Sequence, residues 1–324
     1  MSRLVADGRI RVAVVGGGAN SEHEVSLASA AAVAAALPAA AFDVVSLTIT
    51  RGGGWQDAGG KPLGVFGAIA VMSSCDVVFP AVHGVGGEDG TIAAVCAFAG
   101  LPCVGSPAAA GATAMDKHLT KLVAAAAGIR VAAGEVLTAE QAGDHAWRGP
   151  VVVKPVTAGS SQGVSLVDHP DRLERALKEA FAHDDRVLVE DVVDGREVDV
   201  AVLGSADGTR LVAPPLEIVG PGIFDYDTKY GGTADLRVPA DLTEDERRSL
   251  EDAALRMYDA LGCRGLARID FFLTPDGSGG PVLLEVNTMP GLTEHSQAPR
   301  MLAAAGIAYP ELLDRMVRDA LRTG

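Results

Sequence analysis

Four residues near the C-terminus carry a pattern with chemical content: Arg268 and Asp270 in "GLARIDFFL", and Glu285 and Asn287 in "PVLLEVN". Residues two apart on a β-strand face the same way, because side chains alternate between the two faces. If the two runs are neighbouring strands, an arginine, two carboxylates and a carboxamide share one surface. Hard oxygen donors with an open side suit Mg²⁺ carrying phosphate. A solvated strand face is the plainer reading. The apolar residues on both sides of each run oppose it, since a buried carboxylate without a cation is costly. Gly291 and Ser296 complete the constellation.

A second group surrounds "VVVKPVTAGSSQGVSLVD", residues 151–168. Lys154 ends an apolar run, and Gly159-Ser160-Ser161-Gln162-Gly163 fits G-x-S-x-G. A hydrolase elbow needs a strand directly before the serine and a helix directly after it. Here Lys-Pro and several loop residues precede the serine, and "VSLVD" reads as another strand. Strand, glycine loop and strand make a flap able to fold over a nucleotide. Lys117 and Lys154 stand alone in Ala-rich or Val-rich surroundings. Each is a surface snorkeller by default and a phosphate ligand if a metal–phosphate site lies nearby. Gly16, Gly17 and Gly18 follow the first strand, but the dinucleotide fingerprint fails at Ser21. No G-x-x-x-x-G-K-[ST] occurs. "HGVGGEDG" puts His83 at a strand end before an acidic, Gly-rich loop, which is equally a turn.

The elements that must position these residues follow from periodicity. "RIRVAVVGGG" reads as a buried strand and tight turn, "EVSLASAAAVAAAL" as a helix, "FDVVSLTI" and "CDVVFPAVHG" as strands, and "TIAAVCAFAG" as a helix. That alternation predicts a small parallel α/β lobe over residues 1–107. A helix over about 114–128 follows. Then "GEVL", "GPVVVKP", "GVSLVD", a helix at 171–182, "RVLVEDVV" and "REVDVAVLG" succeed one another with few helices between. An antiparallel or mixed sheet is expected there, in an α+β lobe over 108–198. Residues 199–324 supply "RLVAPPLEIV", a polar loop at 220–238, a helix at 243–261, the two strands of the first group and a C-terminal helix.

The formal charge of −15 argues against non-specific nucleic-acid binding, without excluding an anionic ligand gathered by a few Lys and Arg. Cys75, Cys96, Cys103 and Cys263 lack C-x-x-C spacing, so buried free thiols in a reducing cytosol are expected. The N-terminus has no signal-peptide pattern, and the Ala-rich run 28–40 is too short to span a bilayer. A cytoplasmic protein without membrane partners is the expectation.

Jointly, "NSEHEVSLASA", "HGVGGEDGTI", "AMDKHLTK", "VVVKP", "GSSQGVS", "FDYDTKY", "GLARIDFFL" and "LLEVNTMPGLTEHS" resemble the D-alanine–D-alanine ligases of the ATP-grasp superfamily. They occur in family order from about residue 10 to the end. The C-terminal third, "VPADLTEDERR…LGCRGLARID", also resembles the vancomycin-resistance ligases. The resemblance implies an α/β, three-lobed ATP-grasp fold with ATP gripped between the central and C-terminal lobes. Residues 157–163 would close over the phosphates. Lys117, Lys154, Ser161 and Lys229 would serve the nucleotide, with Leu284 in the same pocket. Glu190 would meet adenine and Glu197 the ribose. Asp270, Glu285 and Asn287 would hold two Mg²⁺ ions, or Mn²⁺ in their place. Arg268 and the Gly291 N–H would face the developing oxyanion. Glu22 would take the first substrate's ammonium, His83 would lie near a substrate carboxylate, and Ser296 would bind the second substrate's carboxylate. Glu22, Ser160 and Tyr230 would tie the N-terminal lobe to the closing loops. The implied product is the dipeptide for peptidoglycan precursors, formed through an acyl phosphate by a homodimer.

Three departures cluster around the second substrate. Asn20 replaces a common Ser, Gln297 a common aliphatic residue, and the loop after Tyr230 is slightly short. An amide at Gln297 fits a hydroxymethyl group, so a paralogue joining D-alanine to D-serine stays open. Lys229-Tyr230 points to an amine nucleophile rather than D-lactate. A non-catalytic nucleotide-binding module and a dinucleotide oxidoreductase are the readings from other classes.

Overall fold

The computed structural model describes residues 8–220, 235–275 and 279–323. β1 (Ile10–Gly17) is buried along nearly its whole length, as a continuous β-branched run must be when both sheet faces are covered. It pairs in parallel with β2 (Phe42–Ile49) and β4 (Val77–Pro80). α1 (His23–Ala36) and α3 (Thr91–Phe98) follow the expected pattern. The purely parallel expectation needs one correction. β3 (Trp55–Asp57) turns back antiparallel on β2 at the sheet edge, and α2 (Gly64–Met72) follows it.

The single helix expected at 114–128 is two. α4 (Ala108–Met115) ends where Asp116 leaves helical geometry and caps α5 (Lys117–Ala126), accepting from the Leu119 N–H at 2.9 Å. β5 (Arg130–Val131) leads into an antiparallel sheet of four strands. These are β6 (Gly134–Thr138), β7 (Val151–Pro155), β8 (Ser165–Val167) and β9 (Arg186–Asp191), in the order β6-β9-β7-β8. α6 (Ala139–Ala142) follows β6, and α7 (Leu173–Phe181) packs Leu173, Ala176 and Leu177 onto this sheet.

The large sheet runs β13-β12-β10-β14-β15-β5, with β11 paired to β10. Its strands are β10 (Arg196–Gly204), β11 (Arg210–Val212), β12 (Leu216–Val219), β13 (Asp235–Arg237), β14 (Leu266–Leu273) and β15 (Val282–Asn287). Pro214-Pro215 splits the expected "RLVAPPLEIV" strand into β11 and β12. The division expected at 198/199 falls inside β10, and α5 and β5 contact β15 of this sheet.

α8 (Glu244–Leu261) starts with a Thr243/Glu246 capping box and stops at Gly262, whose φ of 68° is left-handed. It covers one sheet face, packing Leu250, Met257 and Tyr258 with Val198, Val200, Ile269 and Phe271. The opposite face meets α9 (Gln297–Ala304) and α10 (Tyr309–Thr323), and its core runs without a break into β1, β4 and α1. The N-terminal lobe is therefore anchored on the sheet that carries the candidate metal ligands.

Candidate active site

The register places the first group of residues as the alternation argument required. Arg268 lies opposite Asn287, and Asp270 opposite Glu285. On the other flank Asp199 lies opposite Asp270. Three strands thus turn polar side chains to the face shared with the N-terminal lobe. Arg268 grips Asp270 with two bonds, Nε to Oδ1 and Nη2 to Oδ2, both 2.8 Å. Asn287 Nδ2 donates to Asp270 Oδ2 at 3.0 Å, and Glu285 Oε1 is 4.0 Å from Arg268 Nη2. Three acids therefore face one guanidinium. Carboxylates directly opposite repel, and this excess of acid, with a neighbouring amide oxygen, suits a hard divalent cation. Below them, burial and then the Asp270 charge raise the Asp199 carboxyl well above its ordinary range.

The N-terminal lobe brings Glu22 to this face. Asn20 accepts from the Glu22 N–H at 2.8 Å and donates to the His83 and Val85 carbonyls at 2.9 and 2.7 Å. A serine has one donor and could not span both carbonyls. Ser160 Oγ donates to Glu22 Oε1 at 2.5 Å across 138 positions of chain, so the glycine loop meets the N-terminal lobe there. The approach is close: a Cβ at Gly84 or Gly159 would sit 2.3 or 2.6 Å from Glu22 Oε2 and displace that carboxylate. Ser160 and Ser161 hold φ values of 48° and 55°, a left-handed pair outside glycine that concentrates strain in this loop.

His83 has both ring nitrogens engaged within the protein. Nδ1 donates to the Met289 carbonyl at 2.8 Å, which leaves Nε2 to accept from Ser29 Oγ at 2.8 Å. Nδ1 ties the N-terminal lobe to the segment after β15, Nε2 fixes the ring to α1 within that lobe, and burial lowers the imidazole's pKa, favouring this neutral form. Ser296 stands at the N-cap of α9, where its Oγ accepts from the Thr293 N–H at 3.1 Å and touches the Gly291 position. Glu22, His83, Ser160, Arg268, Glu285, Asn287, Gly291, Ser296 and Gln297 line one cavity of about 510 Å³.

A second cavity, also about 510 Å³, is lined by Lys117, Lys154, Ser161, Glu190, Glu197, Leu284 and Glu285. It gathers every described member of the expected nucleotide set. The β14·β15 register slips between Asp270 and Phe271, leaving Leu284 as the extra residue of a bulge. Glu285 lines both cavities and so marks their junction. Lys117 Nζ donates to the Ala158 carbonyl of the glycine loop at 2.6 Å. Glu190 pairs with both Lys154 and Lys121. Burial pulls its carboxyl up, but the two ammonium groups outweigh that and hold it below the ordinary range. Lys229 and Tyr230 lie outside the described residues.

Three polar residues escaped the sequence reading: Lys121, Asp199 and Glu88. Lys121 sits four positions after Lys117 on α5, on the same helix face. Asp199 is an acid inside an apolar strand two residues after Glu197. Glu88 stands in the quoted "HGVGGEDG". Its carboxylate accepts from the Met289 and Gly84 N–H groups at 3.2 and 3.3 Å. The residue is partly exposed, yet its carboxyl is enclosed. Burial, then the charge of Glu22, pushes it up to about 8 from an ordinary 4.5. The folded chain therefore binds more protons than the unfolded chain between those values, and this contribution to stability is lost as pH rises through 8. Glu88→Gln removes the titration at constant size. Its Tm should fall less than the parent's between pH 5 and 8.5, by at least about 2 °C. Parallel Tm curves would refute the assignment.

Comparison with known proteins agrees with this geometry. The family models described as "D-ala D-ala ligase N-terminus" and "D-ala D-ala ligase C-terminus" match residues 11–66 with 56–106, and residues 125–318. The D-alanine–D-alanine ligase of Mycobacterium tuberculosis (strain CDC 1551 / Oshkosh) is 39% identical over 365 residues, covering 98% of this chain and 97% of its own. That of Mycolicibacterium gilvum is 40% identical over 363 residues, with 98% of each chain covered. Among solved structures, the VanG D-Ala:D-Ser ligase of Enterococcus faecalis superposes with a TM-score of 0.84 at 32% identity, covering 96% of this chain and 99% of that one. The D-alanine–D-alanine ligase of Coxiella burnetii gives 0.83 at 30%, covering 97% and 94%. Matched by both family models and by relatives 39–40% identical over nearly its whole length, this chain belongs to the D-alanine–D-alanine ligase family.

Proposed function

We propose that the chain joins two D-alanine molecules at the expense of ATP, in the cytoplasm, supplying the dipeptide for peptidoglycan precursors. The observation that carries this reading is the junction of the two cavities at Glu285, with Arg268 beside it. A solved relative from Bacillus anthracis, 27% identical, is described as complexed with ATP. The first D-alanine carboxylate takes the γ-phosphoryl group and ADP leaves; the neutral amine of the second attacks the acyl phosphate carbonyl, inorganic phosphate departs and the amine proton is lost, leaving the amide. Glu22 holds the first ammonium. Ser296, at the start of α9, holds the second carboxylate, where a helix N-terminus favours an anion. Arg268 and the Gly291 N–H donate to the tetrahedral oxyanion. Lys117 and Lys154 neutralise phosphate charge, and the 157–163 loop keeps water from the acyl phosphate. Asp270, Glu285 and Asn287 would hold Mg²⁺, which offsets charge on the transferring phosphoryl group. A homodimer is part of the same proposal, from family resemblance.

The D-alanine–D-serine reading rests on Gln297. Its amide is committed inside the protein, with Oε1 accepting from Arg268 Nη1 at 2.7 Å and Nε2 donating to Asp199 Oδ2 at 2.8 Å. The relatives named D-alanine–D-alanine ligase favour D-alanine. Incubation with ATP, Mg²⁺ and competing D-alanine, D-serine and D-lactate, analysed by product mass, tests the proposal. D-Alanyl-D-alanine should dominate. A dominant depsipeptide or D-serine product, or ATP-independent chemistry, would overturn it.

A further inference from the structure

Arg268 is held on three sides, and one of them involves residues with no role so far. Two of its edges go to Asp270. The third goes to Gln297, whose amide is in turn fixed by Asp199. Asp199 is fully buried, and its Oδ2 accepts from Gln297 Nε2 and lies 3.5 Å from Arg268 Nε. A fully buried carboxyl is expensive to keep unless its contacts matter.

The amide's direction follows from its neighbours. Arg268 can only donate, so the Gln297 oxygen must face it, and the Gln297 N–H must then face Asp199. Rotating the amide by half a turn would set N–H against guanidinium. Arg268 and Asp199 thus favour the same one of the two amide orientations, and the bond to Asp199 holds the one that aims Oε1 at Nη1. The other grip on Arg268 is shared. Asp270 Oδ2 accepts from both Arg268 and Asn287, which occupies both its lone pairs. Any further ligand of that oxygen competes with Arg268. The Gln297–Asp199 side has no such competitor.

We propose that Asp199 and Gln297 form a clamp that holds the Arg268 guanidinium toward the reacting carbonyl oxygen. They are positioning residues, acting through Arg268, and Gln297 is not a reader of the second substrate's side chain. The inference rests on the ligase reading for the role of Arg268. A guanidinium free to turn stabilises an oxyanion less than a fixed one, because the gain comes from donors already in place when charge develops. One well-aimed hydrogen bond is worth about tenfold in rate.

The clamp has a signature that loss of packing would not give. Gln297→Leu and Asp199→Ala should each lower kcat about tenfold, with the KM for ATP within about twofold. The double variant should be no worse than either single one, since each breaks the same chain. Asp199→Asn keeps an acceptor for the Gln297 N–H and should recover most of the lost rate. Calorimetry separates this from a general defect: a dipeptide phosphinate, tetrahedral at phosphorus, should bind about tenfold more weakly to Gln297→Leu, with ADP affinity unchanged. The ratio of D-serine to D-alanine incorporation should not move. Additive losses in the double variant, no rescue by Asn, or unchanged phosphinate affinity would each overturn the clamp. A fall in the serine-to-alanine ratio alone would return Gln297 to the substrate pocket. If the parent protein releases no phosphate from ATP with D-alanine, the ligase reading itself fails, and that outcome is visible before any variant is made.

Discussion

Asp270→Ala and Glu285→Ala should each lower turnover by about a thousandfold at millimolar Mg²⁺, without unfolding the protein. The size follows from the several kcal/mol that a cation supplies at a transferring phosphoryl group. The preserved fold follows from the charges around Arg268, where Asp270 and Glu285 face a single guanidinium while burial and Asp270 push the Asp199 carboxyl toward its neutral form. Removing one acid lessens repulsion, and Arg268 keeps its bond to Gln297. The Tm should therefore stay within a few degrees of the parent's. Mn²⁺ binding, followed by electron paramagnetic resonance in the presence of ADP, should weaken in both variants. Variants that turn over normally in millimolar Mg²⁺ would remove these residues from the metal site. A collapse in Tm would mean instead that Asp270 is chiefly the structural counter-ion of Arg268.

That cluster shows what a sequence carries and where it stops. Arg268 and Asp270, and Glu285 and Asn287, were legible because two-residue spacing on a strand is a statement about facing direction. Only adjacency of the two strands had to be assumed, and the observed register supplies it. Asp199 was not legible, since its partner Gln297 lies 98 positions away and no local pattern links them. Lys121 and Glu190 are 69 positions apart, with the same consequence. In the fold, β1 announced itself through a continuous β-branched run ending in glycines. β3 did not, because its three residues form a strand only by pairing with β2, and glycines on both sides dilute any period. The break between α4 and α5 was hidden for a different reason. Asp116 sits in an otherwise helical run, and an acid there reads equally as a surface position or as a cap.

Glu190→Leu should cost the protein about 3–5 kcal/mol, which for a chain of this size lowers Tm by roughly 10 °C. Lys154 is 4% exposed and Glu190 6%, and Lys121 reaches the same carboxylate. Lys121 has one further acceptor, the Ala132 carbonyl at 3.0 Å. Burial already lowers its pKa against the pull of Glu190. Without that carboxylate, two ammonium groups share a poorly hydrated pocket, and the Lys121 pKa falls further. The sign of the pH dependence then follows. The folded variant binds fewer protons than the unfolded chain, whose lysines titrate near 10.4, so its stability rises with pH up to that value. The Tm deficit relative to the parent should be largest at pH 7 and should shrink by pH 9.5. Adding Lys121→Met to Glu190→Leu should recover part of the loss at pH 7, because one uncompensated charge is gone. Thermal melts at both pH values decide the matter. A deficit that does not change with pH, or a double variant no more stable than Glu190→Leu, would show that Glu190 contributes packing rather than charge to this pocket.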